Sequence, residues 1–257
     1  MKLRILLVFT ISLHINIVQT SVAQPTYIAH AGGEIDGYKY TNSLEAVKQS
    51  LSLGVTHIEL DLCMTSDGYL VAAHDWPYFH NITGYKGDSL AITYLEFCSR
   101  RIYGKYTPIT CFMIDSIMMA NSSVFIVTDK ISNPEILHKF MNEYKSRVIV
   151  ECFNMNDYVV LDSLGFYKTF YSSKPISIKK MIIWKIMDIT SIKRRPIAER
   201  YAFWYYKLGY QYHKKSCFFN KDTGKEYAVF SVENRHQADS IALLDNRIKY
   251  VYVDNVE

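Results

Sequence analysis

The chain has 257 residues, of which 49% are hydrophobic and 21% charged. That composition excludes a disordered tail, a collagen-like repeat and a disulfide-stapled mini-domain. Lys plus Arg number 29 against 25 Asp plus Glu, and a net charge of +4 makes no electrostatic case for nucleic acid.

At the N-terminus, Lys2 and Arg4 precede an apolar run from Ile5 to Leu13, broken only by Thr10 and Ser12. Ser21-Val22-Ala23 then offers small residues where a signal peptidase reads. This order predicts a secretory signal peptide over residues 1–23, cut after Ala23, with residues 24–257 as the mature domain. The run is short for a membrane-spanning helix, and an uncleaved anchor or a buried first helix is the alternative. The later stretch from Met181 to Ile192 is interrupted by Lys185 and Asp188. The expectation is a soluble protein, secreted or periplasmic, with at most peripheral membrane contact.

The predicted elements alternate along the chain. A strand over Thr26–Ala29 is followed by a helix over Ser43–Leu53, then strands over His57–Leu62 and Leu70–Ala73. Asp75 to Cys111, with Gly84, Gly87, Gly104 and Pro108, reads as a long excursion from the Leu70 strand. Strands over Val124–Thr128, Val148–Cys152 and Lys168–Tyr171 come next, interleaved with helices over Pro134–Tyr144 and Asn156–Leu164. Helices over Ile176–Ile186 and Pro196–Leu208 precede strands over Tyr227–Val232 and Lys249–Val253, which flank a helix over His236–Asp245. Tyr201 to Lys225 is dense in Tyr, Trp, Phe and Lys, and reads as a helix packing its aromatics inward rather than a sugar- or membrane-facing surface. Roughly eight strands separated by helices suit an α/β fold, a TIM (β/α)8 barrel, with no residues left for a helix after the last strand. A doubly wound open sheet fits the periodicity almost as well. No Gly-, Pro- or Ser-rich linker divides the chain.

Of the cysteines Cys63, Cys98, Cys111, Cys152 and Cys217, none forms a C-x-x-C pair, so zinc and thioredoxin-like motifs have no support. Cys63 and Cys152 sit in apolar runs and read as buried thiols. Cys98 and Cys111 could close a short loop, and their pairing stays open.

Four features fall at the ends of predicted strands in the first half of the chain. They are His30-Ala31-Gly32-Gly33, Ile58-Glu59-Leu60-Asp61-Leu62, Thr65-Ser66-Asp67-Gly68 and His74-Asp75. Residues two apart on a strand share a face, so Glu59 and Asp61 point together. Two carboxylates inside a barrel repel and cost desolvation unless a cation sits between them. Oxygen-only ligands favour a hard divalent cation, Mg²⁺ or Ca²⁺, over zinc.

Taken in order, His30-x-Gly, Asn42-Ser43-Leu44-Glu45-Ala46, Gly54, Ile58-Glu59-x-Asp61, Thr65-x-Asp67-Gly68 and His74-Asp75 resemble the glycerophosphodiester phosphodiesterase family. A looser likeness runs through Val124 to Pro134 and ends at Tyr252-Val253-Asp254-Asn255. The resemblance implies a TIM barrel related to phosphatidylinositol phospholipases. It implies that His30 and His74 are an acid–base pair, that Glu59 and Asp61 hold a metal, and that Lys130 binds the substrate phosphate. The nucleophile it implies is the neighbouring glycerol hydroxyl, giving a cyclic phosphate that water opens.

The chain departs from the family pattern at three places. Ala31 stands where the family usually has Arg, and Thr41 where it usually has Glu. Val127-Thr128-Asp129-Lys130 replaces the expected E-x-K. A gapless match puts Thr128 at the Glu position and turns Asp129 outward by strand parity unless a bulge or the strand end intervenes. Asp129 is still the expected third metal ligand, with Glu151 as runner-up and a helix-leading turn as the structural alternative for Asp129.

The leading expectation is therefore a metal-dependent phosphoric diester hydrolase acting on a glycerophosphodiester or a related small-molecule, lipid or glycan phosphodiester. A phospholipase-D-like or sphingomyelin-cleaving enzyme of the same fold, with an aromatic rim such as Phe203, Trp204 and Tyr205, is the second reading. A non-catalytic binding protein on this scaffold is the third. A glycosidase pair at Glu59 and Asp61 is the weakest, since side chains two apart on one strand cannot flank a scissile bond.

Overall fold

A computed structural model of the chain describes residues 24–172, 198–202 and 226–257. Its strands are β1 (Thr26–Ala29), β2 (His57–Met64), β3 (Leu70–Ala72), β4 (Phe125–Asp129), β5 (Val148–Cys152), β6 (Lys168–Ser172), β7 (Ala198–Ala202), β8 (Tyr227–Asn234) and β9 (Ile248–Asn255). All except β3 pair in parallel, in the order β1-β2-β4-β5-β6-β7-β8-β9, and β9 pairs back onto β1. An open sheet would leave two unpaired edges, so this closed ring decides for the TIM barrel. No helix follows β9 among the described residues.

The helices are α1 (Leu44–Ser52), α2 (Trp76–Thr83), α3 (Tyr94–Ser99), α4 (Cys111–Ala120), α5 (Pro134–Met141), α6 (Met155–Ser163) and α7 (Arg235–Ala242). Each starts where a short polar side chain accepts a backbone N–H of the first turn. Ser43 opens α1, Asp75 α2, Thr93 α3, Thr110 α4, Asn133 α5, Asn154 α6 and Asn234 α7.

Two expected elements are corrected. The Leu70 strand is not a barrel stave: it folds back antiparallel on β2, pairing Leu62 with Ala72. The stave that completes the eight is β7, inside the stretch expected to be a helix over Pro196–Leu208. There, pairing with β6 and β8 overrides a helix-like local pattern. The expected signal peptide, the helix over Ile176–Ile186, Cys217 and most of the aromatic segment from Tyr201 to Lys225, including Phe203, Trp204 and Tyr205, lie outside the described residues.

Alternation along the strands divides two cores. Ile58, Leu60, Leu62, Ile126 and Val150 pack outward against the helices. Ile28, Val127, Ile149, Phe170, Ala228 and Tyr252 fill the barrel interior. The excursion after β3 builds a third core, with Phe79 stacked on Phe97 (4.7 Å between ring centroids) beside Val71, Ile82 and Ile102. It docks on β3 through Ala72 N–H donating to Ile109 O at 2.9 Å, and the Ala73 N–H, next to His74, donates to Asp61 O at 2.8 Å. The described cysteines, Cys63, Cys98, Cys111 and Cys152, are free thiols. No helix among the described residues is long and apolar enough to cross a membrane.

Candidate active site

Strand register assembles three carboxylates at the C-terminal mouth of the barrel. Glu59 and Asp61 point inward from β2, opposite in parity to Ile58, Leu60 and Leu62, and are 0% and 2% exposed. Glu59 pairs with Val127 and Asp61 with Asp129 across the β2–β4 ladder. Val127 belongs to the barrel interior, so Asp129, two residues on, faces inward as well. This corrects the outward parity expected for Asp129: Thr128 takes the helix side, and the ladder needs no bulge. One oxygen from each of Glu59, Asp61 and Asp129 lies within 4.8 Å of the other two.

Each acid is held from outside the group. Glu59 Oε2 accepts the Ala31 N–H at 2.6 Å. Asp61 Oδ2 accepts from Asn42 Nδ2 at 3.0 Å, and the Asp61 N–H donates to Asn42 Oδ1 at 3.0 Å. Ala31 and Asn42 reach these positions in left-handed backbone, at φ 49° each. Asp129 Oδ1 accepts the Lys130 N–H at 2.5 Å. Lys130 is itself left-handed, at φ 67°, and its ammonium lies 3.6 Å from Asp61 Oδ1.

Two histidines are held near this mouth, His30 directly beside the acids. His30, directly after β1, has Nδ1 2.8 Å from Asp254 Oδ1 and Nε2 4.0 Å from Glu59 Oε2. His74 has Nδ1 2.8 Å from Asp75 Oδ2, while Asp75 Oδ1 accepts the Tyr78 N–H at the start of α2. Because an ionised carboxylate only accepts, each Nδ1 carries the proton and each Nε2 is the nitrogen left for chemistry. The half-buried Tyr40 ring stands between them, 4.9 Å from the His30 ring and 6.3 Å from the His74 ring. Glu151, the runner-up ligand, is buried in the barrel and accepts from the Tyr252 hydroxyl, outside the three-acid group.

A model of the glycerophosphoryl diester phosphodiesterase family matches residues 31–165, more than half of the chain. The chain belongs to this family. Phosphoric diester hydrolysis is the activity that membership carries. Solved structures of a glycerophosphoryl diester phosphodiesterase from Parabacteroides distasonis (16% identity, TM-score 0.64, 91% of this chain and 84% of that one) and of a glycerophosphodiester phosphodiesterase from Thermotoga maritima (20%, 0.62, 90% and 95%) share its fold. So does an Oleispira antarctica phosphodiesterase solved with its product sn-glycerol-3-phosphate (17%, 0.63, 90% and 93%). No curated protein matches the chain.

The family's divalent-cation chemistry has a matching donor set here. Burial holds the Glu59 carboxyl well above the ordinary carboxylate range, and the charges of Asp61 and Asp129 add to that effect. Its Oε1 is buried and accepts no hydrogen bond among the described residues. A buried oxygen without a hydrogen bond, on a carboxylate clustered with two others, fits a hard cation.

The sequence reading did not assign Asp254, Asn42, Tyr40 or Lys39 to the site. Asp254 lies in the loosely similar end of the last strand and Asn42 in the second motif, so a signal existed for both. Tyr40 and Lys39 carry no motif, and only the fold of the β1–α1 loop brings them in.

Proposed function

We propose that this chain hydrolyses glycerophosphodiesters with a divalent cation, Mg²⁺ or Ca²⁺, held by Glu59, Asp61 and Asp129. The observation that carries the proposal is a cluster of three buried acids with His30 beside Glu59, and two imidazoles that share Tyr40 as a neighbour and each have Nδ1 held by a carboxylate. When bound, the cation supplies positive charge against the phosphoryl oxygens. Lys130 adds a second positive charge from the β4 side. One histidine takes the proton of the attacking hydroxyl at Nε2, and the other, carrying a second proton at its own Nε2, gives that proton to the leaving alkoxide. Asp254 and Asp75 keep both rings in the required tautomer. Tyr40 lies edge-on to both rings.

Substitution of Ala31 for the usual Arg removes one phosphate-binding charge but neither histidine nor acid, which supports retained chemistry with altered substrate contacts. Lys2, Arg4, the apolar run from Ile5 to Leu13 and Ser21-Val22-Ala23 support a cleaved signal over residues 1–23 and a site of action outside the cytoplasm.

The test is release of sn-glycerol 3-phosphate from a panel of glycerophosphodiesters by wild type, His30→Ala and His74→Ala. Each variant is expected to lose about 10²- to 10⁴-fold in kcat. Full activity in either variant contradicts the proposed acid–base pair.

A further inference from the structure

Lys39 lies in the β1–α1 loop, where no motif singles it out. Its ammonium is 2.6 Å from Glu233 Oε1 and 3.4 Å from Asp254 Oδ2. The other oxygen of Asp254 meets His30 Nδ1 at 2.8 Å. The Asp254 carboxylate therefore has a partner on each oxygen, a hydrogen bond with the imidazole on one and an ion pair with the ammonium on the other. Glu233 is the penultimate residue of β8 and Asp254 that of β9, so Lys39 ties the first loop to two neighbouring strand ends. The Asp254 carbonyl also accepts the Glu34 N–H at 2.7 Å, which anchors the same loop through its backbone.

A carboxylate turns easily about its terminal torsion, whose energy wells are broad. A single hydrogen bond to His30 leaves that rotation open, and the imidazole follows it. A second partner on the opposite oxygen fixes the carboxylate plane and with it the direction of His30 Nε2. We propose that Lys39 is a positioning residue for His30, acting through Asp254. This rests on the reading of His30 as a proton-transfer group. A direct contact with substrate phosphate is the competing role. It is disfavoured because the ammonium is already committed to two carboxylates and its side chain is only 29% exposed.

Steady-state kinetics of Lys39→Met, Lys39→Arg and Lys39→Met in an Asp254→Asn background test the proposal. Lys39→Met is expected to lower kcat about 10-fold or more with KM within about 2-fold, the scale of outer-shell partners. Lys39→Arg restores most of that loss. In the Asp254→Asn background the Lys39→Met effect shrinks to less than about 2-fold, because the two act as one unit. An effect that sits in KM, or one that persists undiminished without the Asp254 carboxylate, overturns the proposal.

Imidazole ¹⁵N spectra of substrate-free protein separate this from the function itself. The His30 Nδ1–H is expected as one sharp hydrogen-bonded resonance in wild type and Lys39→Arg, and as a shifted, broadened one in Lys39→Met, with the tautomer set by Asp254 unchanged. An unchanged spectrum in Lys39→Met overturns the positioning role. Wild type that hydrolyses no phosphodiester, with the expected spectra, overturns only the proposed activity.

Discussion

Asp129 and Lys130 are adjacent in sequence, yet both bring their charges to the same side of the barrel, with the Lys130 ammonium 4.0 Å from Asp129 Oδ2. Adjacent residues of a regular strand face opposite ways. The conflict is resolved at the end of β4, where Lys130 takes φ 67° and the Ile131 N–H donates to Asp129 O at 2.9 Å. This tight three-residue turn is a strained arrangement for a residue with a Cβ. The shortened acid–lysine spacing is thus carried by the backbone.

That strain makes a measurable difference between two substitutions. Lys130→Gly and Lys130→Ala both remove the ammonium and are expected to lose activity alike. Lys130→Gly alone relieves the left-handed backbone, so it should be about 1–2 kcal/mol more stable than Lys130→Ala. Urea unfolding of the two variants checks this, and equal midpoints would remove the strain from the account.

The crowded acids set the pH response of metal-free protein. The folded-state pKa of Glu59 is raised, chiefly by burial, above its unfolded value. The folded state then binds more protons than the unfolded state, and stability falls as pH rises above the ordinary glutamate range. Glu59→Gln, which still accepts the Ala31 N–H, should be more stable than wild type in chelator at pH 7, with the difference shrinking toward pH 4. Midpoints of urea unfolding against pH give the answer, and a constant difference contradicts it.

An opposite slope arises at the other end of β2. The His57 ring stacks on Phe125 at 4.7 Å, and burial, with Lys168 nearby, lowers its pKa from 6.5 to about 4. Here the unfolded state binds the extra proton, so stability is complete above about pH 6.5 and is lost as pH falls toward 4. His57→Gln should lose about 2 kcal/mol less than wild type between pH 7 and pH 5. Matching pH slopes for the two proteins would show that His57 is not held neutral.

Much of this was legible before the structure. The two-residue period of Ile58 to Leu62 places Glu59 and Asp61 on one face, and β1 and β5 begin and end where the apolar runs do. The barrel has eight parallel staves among the described residues, the number expected, but not the same eight: the Leu70 strand is predicted as a stave where β7 is one. Local sequence cannot separate a hairpin partner from a barrel stave, because that depends on which neighbour supplies the hydrogen bonds. The parity of Asp129 failed for a related reason. Counting back from a family lysine assumes regular strand up to that lysine, and the left-handed turn at Lys130 breaks the count by one. Lys39 and Tyr40 were invisible because their role comes from a loop conformation, with Tyr40 itself at φ 57°.

The measurement that bears most directly on the central claim is the hydrolysis rate of a glycerophosphodiester as Mg²⁺ or Ca²⁺ is added back to chelator-treated wild type and Asp129→Asn. The account predicts no turnover in chelator, saturable recovery in wild type, and a requirement for at least about 10-fold more metal in Asp129→Asn. Turnover that survives the chelator, or the same metal dependence in both proteins, would contradict a cation held by Glu59, Asp61 and Asp129.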